Sequence, residues 1–398
     1  MNYERFINER AASLKPSGIR RFFDLVNEKK DAISLGVGEP DFDTPYVGRD
    51  AATRNIQKGN TQYTPNGGYL KLRELISRYY RERYDVNYDA KTEILVTVGA
   101  SEAIDLSLRA TVSYGDEVLI PEPSYVSYAP CVTMAGGVAV GVECPADNGF
   151  RLTAEKLREK ITERTKILIL PYPNNPTGGI MEKSNLEEIA KVCIEKDLLV
   201  ISDEIYSELT YNSVGHVSAA SVKNMRERTI VINGFSKAFA MTGWRIGYLL
   251  CDKELLKPIY KIHQYTIMCA PTASQQAAIA VLENAFEEDF YSVAEMKKEY
   301  DSRRRYLVNE LNLIGLKCFA PEGAFYVFPS VETTGMTGES FAEKLLGDKN
   351  VAVVPGSAFG ESGKNHVRIS YAYSMNSLRK AMTLIREFLS EIKISGGV

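Results

Sequence analysis

A doubly wound α/β fold with a second, smaller α+β part is what this 398-residue chain predicts, on three observations. Between about residues 90 and 250, short apolar runs alternate with stretches of helical spacing. Most of those runs end at charged or turn residues, and after Pro271 the alternation gives way to long helical stretches followed by short strands. Continuous Val, Ile and Leu runs suit strands buried on both faces, so helices must cover both sides of a mostly parallel sheet. In such sheets ligands bind where the carboxyl ends of the strands open into loops.

The amino-terminal stretch to Pro45 holds one amphipathic helix and the Gly-Pro-rich passage Gly36-Val-Gly-Glu-Pro-Asp-Phe-Asp-Thr-Pro45, and is expected to join the smaller part. Gly36-x-Gly38 has no third glycine and no following helix start, which argues against a dinucleotide fingerprint. Strands are expected at 94–98, 118–120, 138–142, 167–170, 198–201, 230–232 and 245–250, with helices over 102–110, 154–161 and 186–195 between them. Helices at 274–284 and 291–313 follow, then strands at 324–328, 352–354 and 367–370 and a closing helix over 376–392. The large domain is therefore placed at 46–285 and the small one at 1–45 with 286–398.

Composition narrows the function. Hydrophobic residues at 44%, charged residues at 25% and a net charge of -3 with both signs interspersed offer no surface for a polyanion, so nucleic acid is not an expected partner. The six cysteines, at 131, 144, 193, 251, 269 and 318, have no C-x-x-C spacing, which fits reduced thiols in a cytoplasmic protein. No run is long enough to span a membrane and no signal peptide opens the chain. His216, His263 and His366 are far apart and carry no metal-ligand pattern, so no metal is expected and protons must be moved by other groups.

The chemistry concentrates in Asn233-Gly-Phe-Ser-Lys-Ala-Phe-Ala-Met-Thr-Gly-Trp-Arg-Ile-Gly-Tyr248. A lysine amine, Lys237, forms a Schiff base with an aldehyde, and an arginine fork, Arg245, holds a phosphate; pyridoxal phosphate carries both groups. Alone, the pair reads as a loop cation and a surface charge on a strand, so the other segments decide. Asp203 ends an apolar strand, where a carboxylate can keep a pyridine nitrogen protonated, and Tyr206 follows it. In Pro171-Tyr-Pro-Asn-Asn-Pro-Thr-Gly178 the prolines stiffen a turn that can aim an amide at a ring oxygen. In Val96-Thr-Val-Gly-Ala-Ser-Glu-Ala-Ile104 a strand passes through glycine into a helix, and the amides of Ala100 and Ser101 with the Ser101 hydroxyl make a phosphate seat; helix capping by Ser101 is the plainer alternative. Arg368, between Val367 and Ile369, suits a bidentate hold on a carboxylate, and Tyr125 can offer a ring face; a surface-facing edge strand and ordinary packing are the plainer alternatives.

These segments, in this order and over nearly the whole chain, resemble the class I aminotransferases of the fold-type I pyridoxal-phosphate enzymes. The resemblance implies that Lys237 bonds the cofactor and then shuttles a proton, that Asp203 pairs with its ring nitrogen, and that Asn175 and Tyr206 hold its phenolic oxygen. It further implies that Ala100, Ser101, Ser236 and Arg245 hold the phosphate, that Tyr125 stacks on the ring, and that Arg368 with the Gly38 backbone binds the substrate α-carboxylate. Tyr63 matches a family tyrosine that reaches the neighbouring subunit's phosphate, implying a homodimer. The implied reaction moves the amino group of an L-amino acid to a 2-oxo acid, with 2-oxoglutarate as the expected acceptor, by a ping-pong route. The donor is expected among aspartate, aromatic amino acids and N-acetyl-diaminopimelate, with Pro16-Ser-Gly-Ile-Arg20 and Ser207-Glu-Leu-Thr-Tyr211 suggesting the last. Because Ser101 stands where some acid-preferring members carry a lysine, Arg20 or Arg21 is a candidate partner of a distal carboxylate, the alternative being that both solvate the exposed face of the first helix. The alternatives are a β-lyase using the same Lys237, Asp203 and Arg245, and a ligand-sensing regulator domain.

Overall fold

The computed structural model describes residues 1–16, 18, 29 and 32–395, the side chains of 393–395 excepted. A two-residue strand, β1 (Ile33–Ser34), precedes the main sheet in the chain. That sheet comprises β2 (Ile94–Thr97), β3 (Glu117–Glu122), β4 (Val138–Glu143), β5 (Thr165–Leu170), β6 (Leu199–Asp203), β7 (Thr229–Gly234) and β8 (Gly247–Leu250). Its order is β2-β8-β7-β6-β5-β3-β4, with β8 antiparallel to both neighbours and every other pair parallel.

Successive strand residues face opposite sides, and both sides are covered. Leu249 and Ile232 join a core with Leu106 and Ile259, whereas Tyr248, Leu250 and Val231 pack with Leu72, Ile76 and Val281 on the other face. Burial on both faces is why the strands read as unbroken apolar runs rather than alternating ones. Register sets Leu170 beside Ser202 and Asp203 beside Ile232, so β5, β6 and β7 end side by side. The loops after those strands carry the candidate chemistry.

In the carboxyl-terminal part, β9 (Tyr326–Val327), β10 (Val351–Ala352), β11 (Val354–Pro355) and β12 (Val367–Ser370) are short. β9 and β11 flank β12 antiparallel, and β1 pairs in parallel with β10. Leu35 sits in the same core as residues of the helices Tyr291–Leu313, Gly338–Lys349 and Met375–Ser395.

Several boundaries differ from expectation. The strand expected at 352–354 is two strands with Val353 between them. That at 324–328 shortens because Ala324 takes a left-handed backbone (φ 56°) and its carbonyl accepts the Tyr371 hydroxyl at 3.1 Å. That at 245–250 begins only at Gly247, for Arg245 is itself left-handed, with φ 49°. The helices Tyr46–Gln57, Leu70–Tyr84, Tyr128–Ala135, Lys253–Thr266 and Gly338–Lys349 were not among the expected elements. In Leu70–Tyr84 the buried stripe of Leu72, Leu75, Ile76, Tyr79 and Tyr80 is interleaved with charged residues, which masks its period.

Candidate active site

The ends of β5, β6 and β7 open into a cavity of about 600 Å³. Asp203, the last residue of β6, points into it. Its Oδ2 accepts the Tyr128 hydroxyl at 2.8 Å and its Oδ1 accepts the Ile205 N–H at 3.2 Å. Burial pushes the Asp203 carboxyl up to about 6, against those two donors.

Lys237 follows β7 in a turn anchored by buried Phe235 and Phe239. Its Nζ donates to the Gly38 carbonyl at 2.6 Å and lies 5.7 Å from the centre of the Tyr206 ring. Burial brings the amine down to about 8; Glu39 opposes that shift, and the cations Arg368 and Arg245 reinforce it. An amine that releases its proton so near neutrality is a usable nucleophile and base.

At one end of the cavity, Gly99 opens the helix Gly99–Thr111 with φ 74°, and no side chain caps its first amides. A Cβ on Gly99 would meet Arg245 Nη2 at 2.6 Å, so only glycine lets that guanidinium pack over the helix start. The capping alternative for Ser101 is overturned: Val98 occupies the cap position and Ser101 lies in the first turn. Free amides plus a guanidinium make an anion seat.

At the other end, Arg368 Nη1 donates to Asn175 Oδ1 at 2.8 Å and Nη2 to the Gly36 carbonyl at 2.6 Å. Its Nε is buried with no partner, and no carboxylate pairs with it among the described residues. The guanidinium lies over Tyr326 and Phe359, 4.4 and 4.9 Å from their ring centres. A buried cation left without a counter-ion is a site for an anionic ligand. The two adjacent asparagines divide their duties, since Asn174 Oδ1 accepts from Thr177 N and Oγ1 within the turn while Asn175 lines the cavity.

Gly38, Ala100, Ser101, Tyr125, Asn175, Asp203, Tyr206, Ser236, Lys237, Arg245 and Arg368 all line this one cavity. Tyr63 does not; it is 81% exposed on the surface. Arg20 and Arg21 lie outside the described residues. Sequence reasoning missed Glu39, Tyr128 and Tyr326, which also line the cavity. Tyr128 opens the helix Tyr128–Ala135 and Tyr326 sits in an apolar run, and both read only as packing.

Residues 30–385 match the family model described as Aminotransferase class I and II. The aspartate aminotransferase of Pyrococcus abyssi is 44% identical over 98% of this chain and 100% of its own length. Aromatic-amino-acid aminotransferase 2 of Thermococcus litoralis is 42% identical, covering 98% of this chain and 99% of its own. The solved aspartate aminotransferase from Thermus thermophilus with maleate superposes with a TM-score of 0.91 at 37% identity, over 96% of this chain and 99% of that one.

Proposed function

The chain belongs to the class I and II aminotransferase family, and from that premise we propose that its cavity takes pyridoxal 5'-phosphate. It is an aminotransferase, moving the amino group of an amino acid to a 2-oxo acid. The proposed acceptor is 2-oxoglutarate and the route ping-pong, the first oxo acid leaving before the second enters. The observation that carries the reading is geometric: the half-buried Lys237 amine and the buried Asp203 carboxyl line one cavity, with Arg245 and the unpartnered Arg368 Nε on its walls. The cavity residues fit the cofactor. The uncapped helix start with Arg245 suits its phosphate, together with Ser101 and Ser236; Asp203 suits its ring nitrogen, and Asn175 and Tyr206 its phenolic oxygen.

When bound, that cofactor supplies an aldehyde reactive toward amines and a ring that draws electrons from the substrate α-carbon. The chain's own groups do the rest. Arg368, with the Gly38 backbone beside it, binds the substrate carboxylate and thereby aims the α-hydrogen at Lys237. Lys237 Nζ takes that proton as general base and returns it as general acid. Asp203 would hold a proton on the ring nitrogen, with Tyr128 keeping the carboxylate oriented, and Tyr125 would pack against the ring.

The donor is proposed to be aspartate, an aromatic amino acid or N-acetyl-diaminopimelate. Beyond Lys237, Arg245 and Arg368 no cation lines the cavity among the described residues, so a second substrate carboxylate must meet a charge from the amino-terminal arm or a partner. We propose a cytoplasmic homodimer in which Tyr63 reaches the neighbouring site; exposed Tyr63, Leu70, Tyr265, Ile267 and Met268 support such an interface, and six free cysteines support a reducing compartment. No described helix is long and apolar enough to cross a membrane. The division into 46–285 and 1–45 with 286–398 is likewise proposed, supported by the β1–β10 pairing. The test is a half-reaction panel: amino acids are added singly to holoenzyme and conversion of its absorbance to the amine form is recorded. Release of ammonia with equimolar oxo acid would mark the β-lyase alternative instead.

A further inference from the structure

Tyr326 has no part in the reading above, yet it touches three groups of the site at once. The residue is 1% exposed. Its Oη lies 2.8 Å from Tyr206 Oη, and its ring carries the Arg368 guanidinium 4.4 Å from its centre. A Cβ on Gly38 would come within 2.3 Å of the same hydroxyl, so only glycine lets the backbone pass there. The carbonyl of that glycine accepts the Lys237 amine at 2.6 Å.

We propose that Tyr326 is a positioning residue: its hydroxyl donates to Tyr206, leaving the Tyr206 proton for the cofactor's phenolic oxygen, and its ring holds Arg368 in place for the substrate carboxylate. The inference rests on the cofactor reading given under Proposed function. Each phenol has one proton to give, and the cation over the Tyr326 ring, Arg368 at 4.4 Å, is nearer than Lys237 is to the Tyr206 ring at 5.7 Å, which makes the Tyr326 phenol the more acidic and so the better donor. Tyr206 makes no other side-chain hydrogen bond among the described residues, so its own proton is available. A donor on the phenolic oxygen would draw off negative charge and so lower the pH at which the bound cofactor gives up a proton. Removing the hydroxyl behind Tyr206 weakens this donor, because hydrogen bonds in a chain polarise one another. The pH at which the bound cofactor changes colour must then rise.

The test compares absorbance titrations of holoenzyme for wild type, Tyr326→Phe, Tyr206→Phe and the double variant, with steady-state kinetics of Tyr326→Leu alongside. Tyr326→Phe keeps the ring and is expected to raise the titration midpoint by about half a pH unit, the scale of one neutral hydrogen bond, with KM nearly unchanged. Tyr326→Leu also removes the support under Arg368 and is expected to raise KM about tenfold for amino acid and oxo acid alike. In the double variant, Tyr326→Phe should add nothing to the shift of Tyr206→Phe. A wild-type midpoint in Tyr326→Phe, or a shift that adds in full to that of Tyr206→Phe, overturns the inference. If wild type itself shows no pH-dependent cofactor band, the cofactor reading fails and takes this one with it.

Discussion

Behind the end of β6, the carboxylate of Glu204 is fully buried and surrounded by donors. Its Oε1 accepts Ser202 and Ser218 hydroxyls at 2.9 Å each and the Ala219 N–H at 3.1 Å, while Tyr80 and His216 approach Oε2 at 3.5 and 3.2 Å. On the cavity side, the adjacent Asp203 has two donors, Lys237 has a single backbone acceptor, and Arg368 keeps an unpartnered Nε. Both sides are nearly dry, yet the Glu204 carboxylate is supplied with donors, although His216 Nε2 beside it makes no hydrogen bond, whereas the cavity groups are left short. A buried polar group supplied with partners holds the fold, whereas one left short costs stability until a ligand arrives. The contrast separates structural polar groups from those kept for chemistry, without reference to any relative.

Removing a group from the cavity side should cost function and spare the fold, and Lys237→Ala is the strongest case. Turnover should fall by about 10⁴-fold or more, since both a nucleophile and a proton shuttle are lost. Cofactor should remain bound non-covalently through the phosphate seat, which gel filtration followed by an absorbance scan would show. Substantial turnover without an added amine would remove Lys237 from the mechanism.

The two neighbouring carboxylates offer the sharpest comparison. Glu204→Ala strands the Ser218 hydroxyl and the Ala219 amide and should cost about 3 kcal/mol in urea unfolding of the cofactor-free protein. Asp203→Asn should do the reverse. Folding raises the Asp203 pKa from 3.8 to about 6, so between those values the native state holds a proton that the unfolded chain has lost. Stability therefore falls as pH rises through that window, and the full cost of about 3 kcal/mol applies above it. The variant is expected to be more stable than wild type at pH 7, with the advantage closing near pH 4, while α-proton exchange slows. Lys237 has the opposite slope, because a folded value of about 8 against 10.5 leaves the extra proton on the unfolded chain, and stability rises with pH between them. Equal destabilisation by both carboxylate variants would erase the distinction between the two sides.

Arg368→Leu tests the unpartnered cation. Its loss should raise KM for amino acid and oxo acid together, by about 1.5 to 3 kcal/mol in each, because both present the same α-carboxylate. Amines without that carboxylate should react nearly as before. Equal losses for both kinds of substrate would mean that Arg368 is structural.

Much of this site was legible because apolar runs announce the strands, and a polar residue at a strand's end (Asp203), in the turn after one (Lys237) or inside one (Arg368) breaks the pattern. The surroundings of Glu204 were not legible. Glu204, Tyr80, Ser218 and Asn233 come from four separate segments, and nothing local marks them as partners; Asn233 meets Tyr80 and Ser207 at 3.0 Å only once the sheet has formed. Arg245 was found, yet its left-handed turn was taken for the start of a strand, because side-chain type carries no record of φ. Tyr128 and Tyr326 escaped for a related reason, since a tyrosine in an apolar run reads as packing until its hydroxyl is seen to have a partner.

Tyr63 belongs to neither side of the contrast, and it should give the smallest effect. At 81% exposed it supports no core, so Tyr63→Phe should leave unfolding unchanged. If the hydroxyl meets the phosphate in a neighbouring subunit, its loss removes one hydrogen bond of about 1 kcal/mol, or roughly fivefold in cofactor retention. That deficit should depend on assembly. In concentrated protein the variant should lose cofactor about fivefold more readily than wild type, and on dilution the two should converge as subunits part and neither tyrosine has a phosphate to meet. Cofactor dissociation followed by fluorescence across a protein dilution series would decide it. Equal retention at every concentration would return Tyr63 to an ordinary surface residue, and a phosphate contact from the partner would then have to be sought at another exposed hydroxyl such as Tyr265, 91% exposed.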